Sequence, residues 1–450
     1  MSAMLDRLRQ LHSLRPQHAR DEAVAEPVRR DRAFDSGSLS AGRALEDLVP
    51  GGVVETDVGV CYMGTQTYSS EMVYGVRPLS DLLLHRPDQL AQHLPHFNLD
   101  AVTDFTSAVF LDTETTGLGA GASTYCFMVG VGSFERREGQ RAHSRDDANH
   151  FIVRQFFMRH PGEEPALLTS LADFLADRTL IITFNGRGFD APLLRARYLQ
   201  NRRLLAANAA PTLLLDPGAP HLDLLTPARR LWKRRLQSCR LINLEEQILL
   251  RQRTEDDVPG SLIPQMYVDY LNSNDAGEMR RVFYHNGQDI VSMAALAERI
   301  CGLLRADDTE RGIHGLDWLS LGRSHERAGE RQAAENAYRR AIDALTDRKA
   351  QAEAFYALGQ LQKQQQRWTE AAATWEQWLT TVPSADATPY IELAKVCEWQ
   401  LRDLEQAEMW TGWGLHMVNS LQPWQRFPGQ LADLEHRLKR LERKRVDAAQ

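Results

Sequence analysis

VFLDTETTGL, residues Val109 to Leu118, reads as a buried strand that runs into two acids and then into a sharp turn. Asp112 closes the apolar run and Glu114 follows two residues later, so with strand alternation both side chains leave the same side of the chain. Carboxylates aimed at one point repel each other unless a positive charge lies between them. Magnesium or manganese suits that position, because hard divalent cations prefer oxygen ligands. Thr115, Thr116 and Gly117 then turn the chain, which leaves amides and hydroxyls to meet phosphate or sugar.

Outward from this stretch, STYCFMVGVGSFE and HFIVRQFFM read as two more strands. The helix ALLTSLADFLAD, the strand TLIITFN and the helix DAPLLRARYLQNR follow. Three strands, then helix, strand and helix, predict a mixed α/β sheet flanked by helices. Upstream, VVETDVGVCYMG and YSSEMVYGV alternate as short strands before the helical PLSDLLLHRPDQLAQHL, an accessory layer on the main domain. Residues 1–44 form a loose lead-in with little apolar periodicity.

The C-terminal part is an all-α helical repeat. Trp318, Leu321, Gly322, Ala334 and Tyr338 recur as Phe355, Leu358, Gly359, Ala371 and Trp375, with Pro383 closing the pattern. A third copy has Tyr390, Leu393, Ala394 and Ala407, the last needing a one-residue insertion. The domains so read are 1–44, 45–305 and 312–450. Stacked helix pairs of this kind present a surface for a peptide or protein partner.

With 450 residues, 43% of them apolar, the chain supports two or three domain cores. No apolar run approaches a membrane span and no signal peptide is evident, so the expectation is a cytoplasmic protein. Five scattered cysteines without a C-x-x-C pair read as free thiols. The net charge is -7, yet Arg187 to Arg240 carries eleven basic residues against three acids, a local surplus of eight. That surplus fits either a nucleic-acid surface or solvated helix faces such as that of LLTPARRLWKRRL.

Two further segments complete an acidic set. Thr183-Phe184-Asn185-Gly186-Arg187-Gly188-Phe189-Asp190 leads from a buried strand to an aspartate at a helix start. Tyr284-His285-Asn286-Gly287-Gln288-Asp289 ends on an aspartate that opens the helix DIVSMAALAERICGLL. Either aspartate alone suits a helix N-cap. His221-Leu222-Asp223 is a short strand with structural side chains, and Asp256 to Pro264 is a turn-rich loop that could wall a groove.

D-T-E-T-T-G-L resembles the first motif of the DEDD exonucleases, and Asp190 and Asp289 match that superfamily's third and fourth carboxylates. The whole arrangement resembles the YprB family, ribonuclease H-like proteins followed by tetratricopeptide repeats. The resemblance implies a ribonuclease H-like sheet holding two Mg2+ or Mn2+ ions on Asp112, Glu114, Asp190 and Asp289. It further implies 3′ to 5′ hydrolysis of single-stranded DNA or RNA, with Thr115, Thr116, Gly117, Leu118, Asn185 and Tyr284 toward the substrate. The superfamily places His five residues, or Tyr four residues, before the last Asp. Here Tyr284 stands five before Asp289 and His285 four before. His285 suits the general base by its ordinary pKa of ~6.5 against ~10 for tyrosine, with Tyr284 as the substitute. The exchange keeps a second class open, a nuclease fold that binds nucleic acid and recruits partners without turnover.

Overall fold

The computed structural model describes residues 42–117, 124–136, 148, 150–205, 215–305, 312–382 and 386–449. Most of the N-terminal lead-in, Leu118 and Pro383 lie outside the described residues. In chain order the strands are β1 (Gly51–Thr56), β2 (Gly59–Ser69), the small hairpin β3 (Val73–Tyr74) and β4 (Arg77–Pro78), then β5 (Ala108–Thr115) and β6 (Cys126–Glu135). They continue with β7 (His150–Phe157), β8 (Leu180–Thr183) and β9 (His221–Asp223). The main sheet has the order β1-β2-β7-β6-β5-β8-β9, antiparallel up to β5 and parallel from β5 through β9.

The upstream strands differ from expectation. They form no separate layer: β2 pairs with β7 from Tyr62–Phe157 to Ser69–His150 and extends the same sheet, which supplies backbone partners along an edge that β7 would otherwise expose. The segment after them takes 3-10 turns at Leu79–Leu84 and Pro87–Leu90 in place of a regular helix. Pro87 contributes here, since it disfavours α geometry in the residue before it.

Alternation along β5 sorts its residues between two cores. Val109 and Leu111 join one core with Leu167 and Leu171 of helix α1 (Glu164–Leu175) and Leu193 of α2 (Asp190–Asn201). Ala108 and Phe110 join the other. After α3 (Leu225–Trp232), α4 (Leu241–Gln247) and α5 (Ile263–Ser273), the 26-residue α6 (Met279–Leu304) crosses β5, β6 and β7, and its Ile290 shares the core of Phe110. Asp112 and Glu114 continue the series of Ala108 and Phe110, so they emerge on the face that α6 covers.

Three helix pairs follow: α7 (Gly315–Ala328) with α8 (Arg331–Ala344), α9 (Arg348–Gln364) with α10 (Trp368–Thr381), and α11 (Thr388–Val396) with α12 (Leu404–Ser420). Helix α13 (Gln430–Ala449) packs on α12. The recurring positions do equivalent work in the first two pairs. A Cβ on Gly322 would lie 2.4 Å from the Tyr338 ring, and one on Gly359 would lie 2.2 Å from Trp375 Nε1. Glycine therefore lets each paired helix approach an aromatic of its partner. The extra residue of the third copy is taken up by a π-helical turn at Cys397–Leu401, the usual way a helix absorbs an insertion. Trp232 of α3 and Trp318 of α7 lie in one continuous hydrophobic cluster, so the core runs from the sheet into the helical region. All five cysteines are free thiols, and no helix among the described residues is long and apolar enough to cross a membrane.

Candidate active site

The four acids of the predicted set come from three elements. Asp112 and Glu114 lie on β5, which continues past Asp112 to Thr115 and shifts register between Glu114 and Thr115. Asp190 is the first residue of α2, where its charge also faces the positive helix end. Asp289 does not open a helix as expected. It lies well inside α6, which begins at Met279, because the helical pattern continues unbroken through Asn286 and Gly287. Asp289 is therefore no N-cap, and His285 stands one turn before it on the same face. His285 Nε2 is 3.7 Å from Asp289 Oδ2. Tyr284 points elsewhere, its hydroxyl accepting from the Thr254 backbone N–H at 3.3 Å.

Close packing of α6 on the sheet depends on glycine. Gly130 of β6 is registered opposite Asp112, and a Cβ there would fall 2.0 Å from Asn286 Oδ1. That space admits a buried polar chain. Gln155 Nε2 on β7 donates to the Phe283 carbonyl at 2.7 Å and to Asn286 Oδ1 at 3.0 Å, and Asn286 Nδ2 donates to Asp112 Oδ2 at 2.9 Å. Asn286 thus fixes one carboxylate oxygen and leaves the other to a ligand. Gly130→Ala is expected to destabilise the fold by about 1–3 kcal/mol through overpacking, read as a lowered denaturation midpoint at unchanged slope.

The Asn185 loop is held in a similar way. Asp223, at the end of β9, accepts from the backbone N–H of Asn185 at 2.8 Å, of Arg187 at 3.3 Å and of Leu225 at 3.1 Å. Asn185 adopts φ 69°, in the left-handed region that Asn tolerates. Gly186 has no side chain to strike Asp190, whose Oδ2 would be 2.6 Å from a Cβ. His221 Nε2 meets Thr183 Oγ1 at 2.8 Å, so His221 and Asp223 are structural, as the sequence indicated.

The threonine turn is held by its own side chains. Thr115 Oγ1 donates to the Gly117 carbonyl at 2.8 Å, and Thr116 Oγ1 accepts from the Tyr125 N–H at 3.0 Å. These hydroxyls shape the turn, and among the described residues a Cβ on Gly117 would meet nothing within 4 Å.

Electrostatics mark the site as short of positive charge. Burial, compounded by Asp289, Glu114 and Asp190, pushes Asp112 well above the carboxylate range. Burial likewise raises Glu114 to about 8, against the pull of His285 and Arg253. Asp190 rises to about 6 by burial, against the hydrogen bond from Thr113. Two cations are present, and each has another acid to serve. Arg253 donates to Glu245 at 2.7 and 2.5 Å as well as to Asp289. His285 Nδ1 meets Asp257 Oδ1 at 2.7 Å. Burial opposes a charge on His285, but the Asp257 bond and the Asp289 and Glu114 charges win and raise it to about 9. The expectation of an ordinary imidazole pKa therefore does not hold for this arrangement.

Carboxylates gathered in this way, with Asp112 and Glu114 held above their usual range first by burial and then by neighbouring acids, form a fitting donor set for divalent cations. The set is not drawn tight: each of three acids rests on a protein donor, Asp112 on Asn286, Asp190 on Thr113 and Asp289 on Arg253. The roles of Gln155, Asn286, Asp257 and Arg253 were not legible in the sequence, whereas Asp223 was read there as structural. Asn286 had a signal, an amide set between the motif's ring residues and Asp289. Gln155 had a fainter one, a lone uncharged amide in an apolar strand. Arg253 and Asp257 had none, because their role depends on how a loop folds back over α6.

Residues 109–301 match the RNase H superfamily. The chain thus carries an RNase H-like domain, and the matched span begins in β5 and contains all four acids. A Bacillus subtilis (strain 168) protein named "Uncharacterized protein YprB" is 34% identical over 187 residues, which is 42% of this chain and 40% of that protein. The chain therefore spans well under two thirds of the length of the curated relative it matches.

Proposed function

We propose that the RNase H-like domain is a 3′ to 5′ exonuclease acting on single-stranded DNA or RNA with two Mg2+ or Mn2+ ions. The observation that carries this reading is the convergence of Asp112, Glu114, Asp190 and Asp289 beside the Asp257–His285 pair, with more buried negative charge than Arg253 and His285 offset. The four acids would hold the ions. Bound there, the ions supply charge that activates water and stabilises the leaving 3′ oxygen. With ions offsetting the Asp289 and Glu114 charges that hold the ring protonated, His285 Nε2 would take the water proton while Asp257 fixes Nδ1 at 2.7 Å. Substrate enters by a cavity of about 780 Å3 that Phe184 and Asn185 share with Arg229, Lys233 and Arg240. The helical pairs, tetratricopeptide-like in pattern, would receive a peptide or protein partner.

End-labelled single-stranded DNA and RNA, incubated with Mn2+, should shorten from the 3′ end, and excess chelator should stop the reaction. Absence of cleavage on every substrate, or cleavage indifferent to chelator, would remove the reading. The second reading, a nuclease fold that binds without turnover, draws on Arg253, which occupies Asp289. It predicts binding with no cleavage in the same assay.

The basic run divides into two groups. Arg229, Lys233 and Arg240 are exposed along the cavity, whereas Arg235 pairs with Asp317 at 3.1 Å and Arg234 with Glu353, joining the sheet domain to the helical pairs. Arg230 donates to the His93 carbonyl. Neutralising Arg229, Lys233 and Arg240 together is expected to flatten the slope of log affinity against log salt by roughly 2, at ~0.7 for each single-strand phosphate that no longer meets a positive charge. Arg235→Ala should lower the melting temperature and leave the slope unchanged. An unaltered slope in the triple variant would return these residues to a solvated face.

A further inference from the structure

Far from the carboxylate site, two imidazoles and a carboxylate meet where the sheet domain touches the first helix pair. His93 follows the second 3-10 turn, His325 lies in the last turn of α7, and Glu330 follows Gly329, whose φ of 79° folds the chain back on the helix end. Glu330 Oε2 lies 2.6 Å from His325 Nδ1 and 3.3 Å from His93 Nε2. The two rings pack edge to face with centroids 5.3 Å apart. Among the described residues, this is the group of three or more His, Cys, Asp or Glu whose ligand atoms all lie within 4.8 Å of one another.

We propose that His93 Nε2, His325 Nδ1 and Glu330 Oε2 bind a zinc ion that pins the RNase H-like domain to the helical region. The N2O donor set and its compactness suit Zn2+, for which imidazole and carboxylate are ordinary ligands. The outer contact agrees: His93 Nδ1 lies 3.1 Å from Ser324 Oγ, so with Nε2 on the metal the opposite N–H has its acceptor. Both histidines are buried. His93 and Glu330 also line a cavity of about 300 Å3 with Gln89 and Cys301, roomy enough for a water to complete the shell. Ligands 232 and 237 residues apart along the chain make this a cross-link that binds the folded form alone.

The test uses full-length protein carrying Asp112→Ala and Asp190→Ala, so that the carboxylate site does not contribute zinc. Metal is stripped with chelator, zinc is restored, and the protein is gel-filtered against a chromophoric chelator before elemental analysis. One equivalent of zinc should remain, and zinc should raise the melting temperature. His325→Ala and Glu330→Gln in the same background should lose both effects. Glu330 is 37% exposed, so Glu330→Gln tests ligation with the least risk to folding, checked by circular dichroism. No retained zinc in the parent protein overturns the proposal, as does equal retention in parent and Glu330→Gln.

Discussion

Asp112→Ala is expected to lower metal-dependent cleavage by roughly 10³-fold, the rate equivalent of about 4 kcal/mol of charge stabilisation removed with a metal ligand. Asp112 is the acid most exposed to its neighbours' charge, raised by burial and then by Asp289, Glu114 and Asp190 together. It is also the acid whose orientation is most completely fixed, through Asn286 and Gln155. Asn286→Ala should therefore have a milder version of the same phenotype, about 10–100-fold in metal affinity, because the carboxylate remains but swings free. The fold should survive Asp112→Ala, since the change relieves a repulsion in the absence of metal. Metal titrations and single-turnover rates on both variants separate the two effects. An Asp112→Ala protein as fast as wild type would remove the acid from the reaction altogether.

His285→Ala is the second large effect, an expected loss of about 10²–10⁴ in rate if its ring is the general base. Asp257→Asn should lose less, because the ring remains in place while its Nδ1 partner no longer carries charge. Tyr284→Phe should leave the rate near wild type, since its hydroxyl meets the Thr254 backbone. The order His285, Asp257, Tyr284 is thus a signature of the imidazole acting. A rate that collapses in Tyr284→Phe and holds in His285→Ala would instead assign the proton to the phenol.

How legible the site was depends on the distance over which each residue acts. Strand alternation is local, so Asp112 and Glu114 could be assigned to one side of β5 without any knowledge of α6. The strand and helix order from Ala108 to Asn201 follows from apolar periodicity for the same reason, and so does the Gly322 and Gly359 pattern, where a missing side chain reports an aromatic neighbour on the paired helix. Asp289 was misplaced by a local signal: Asn286 and Gly287 are weak helix formers, and packing of Gly130 and Gly132 against Asn286 and Ile290 overrides that weakness. The hydrogen bond that Thr116 accepts was not legible, because its partner Tyr125 lies across the hairpin.

By itself, the sequence determined the main strands and helices from Ala108 to Asn201, the later helix pairs, and the placing of Asp112 and Glu114 on one side of a strand, all properties of neighbours within a turn or a strand. Tertiary structure alone decided that His285 and Asp289 share a helical face, that Asp257 and Arg253 return over that helix, and that the basic run splits between an open cavity and a junction with the helical pairs. The physical reason is that charge and hydrogen bonding act through space at a few ångströms. Which groups meet at that range is set by packing of the sheet against α6 and α7.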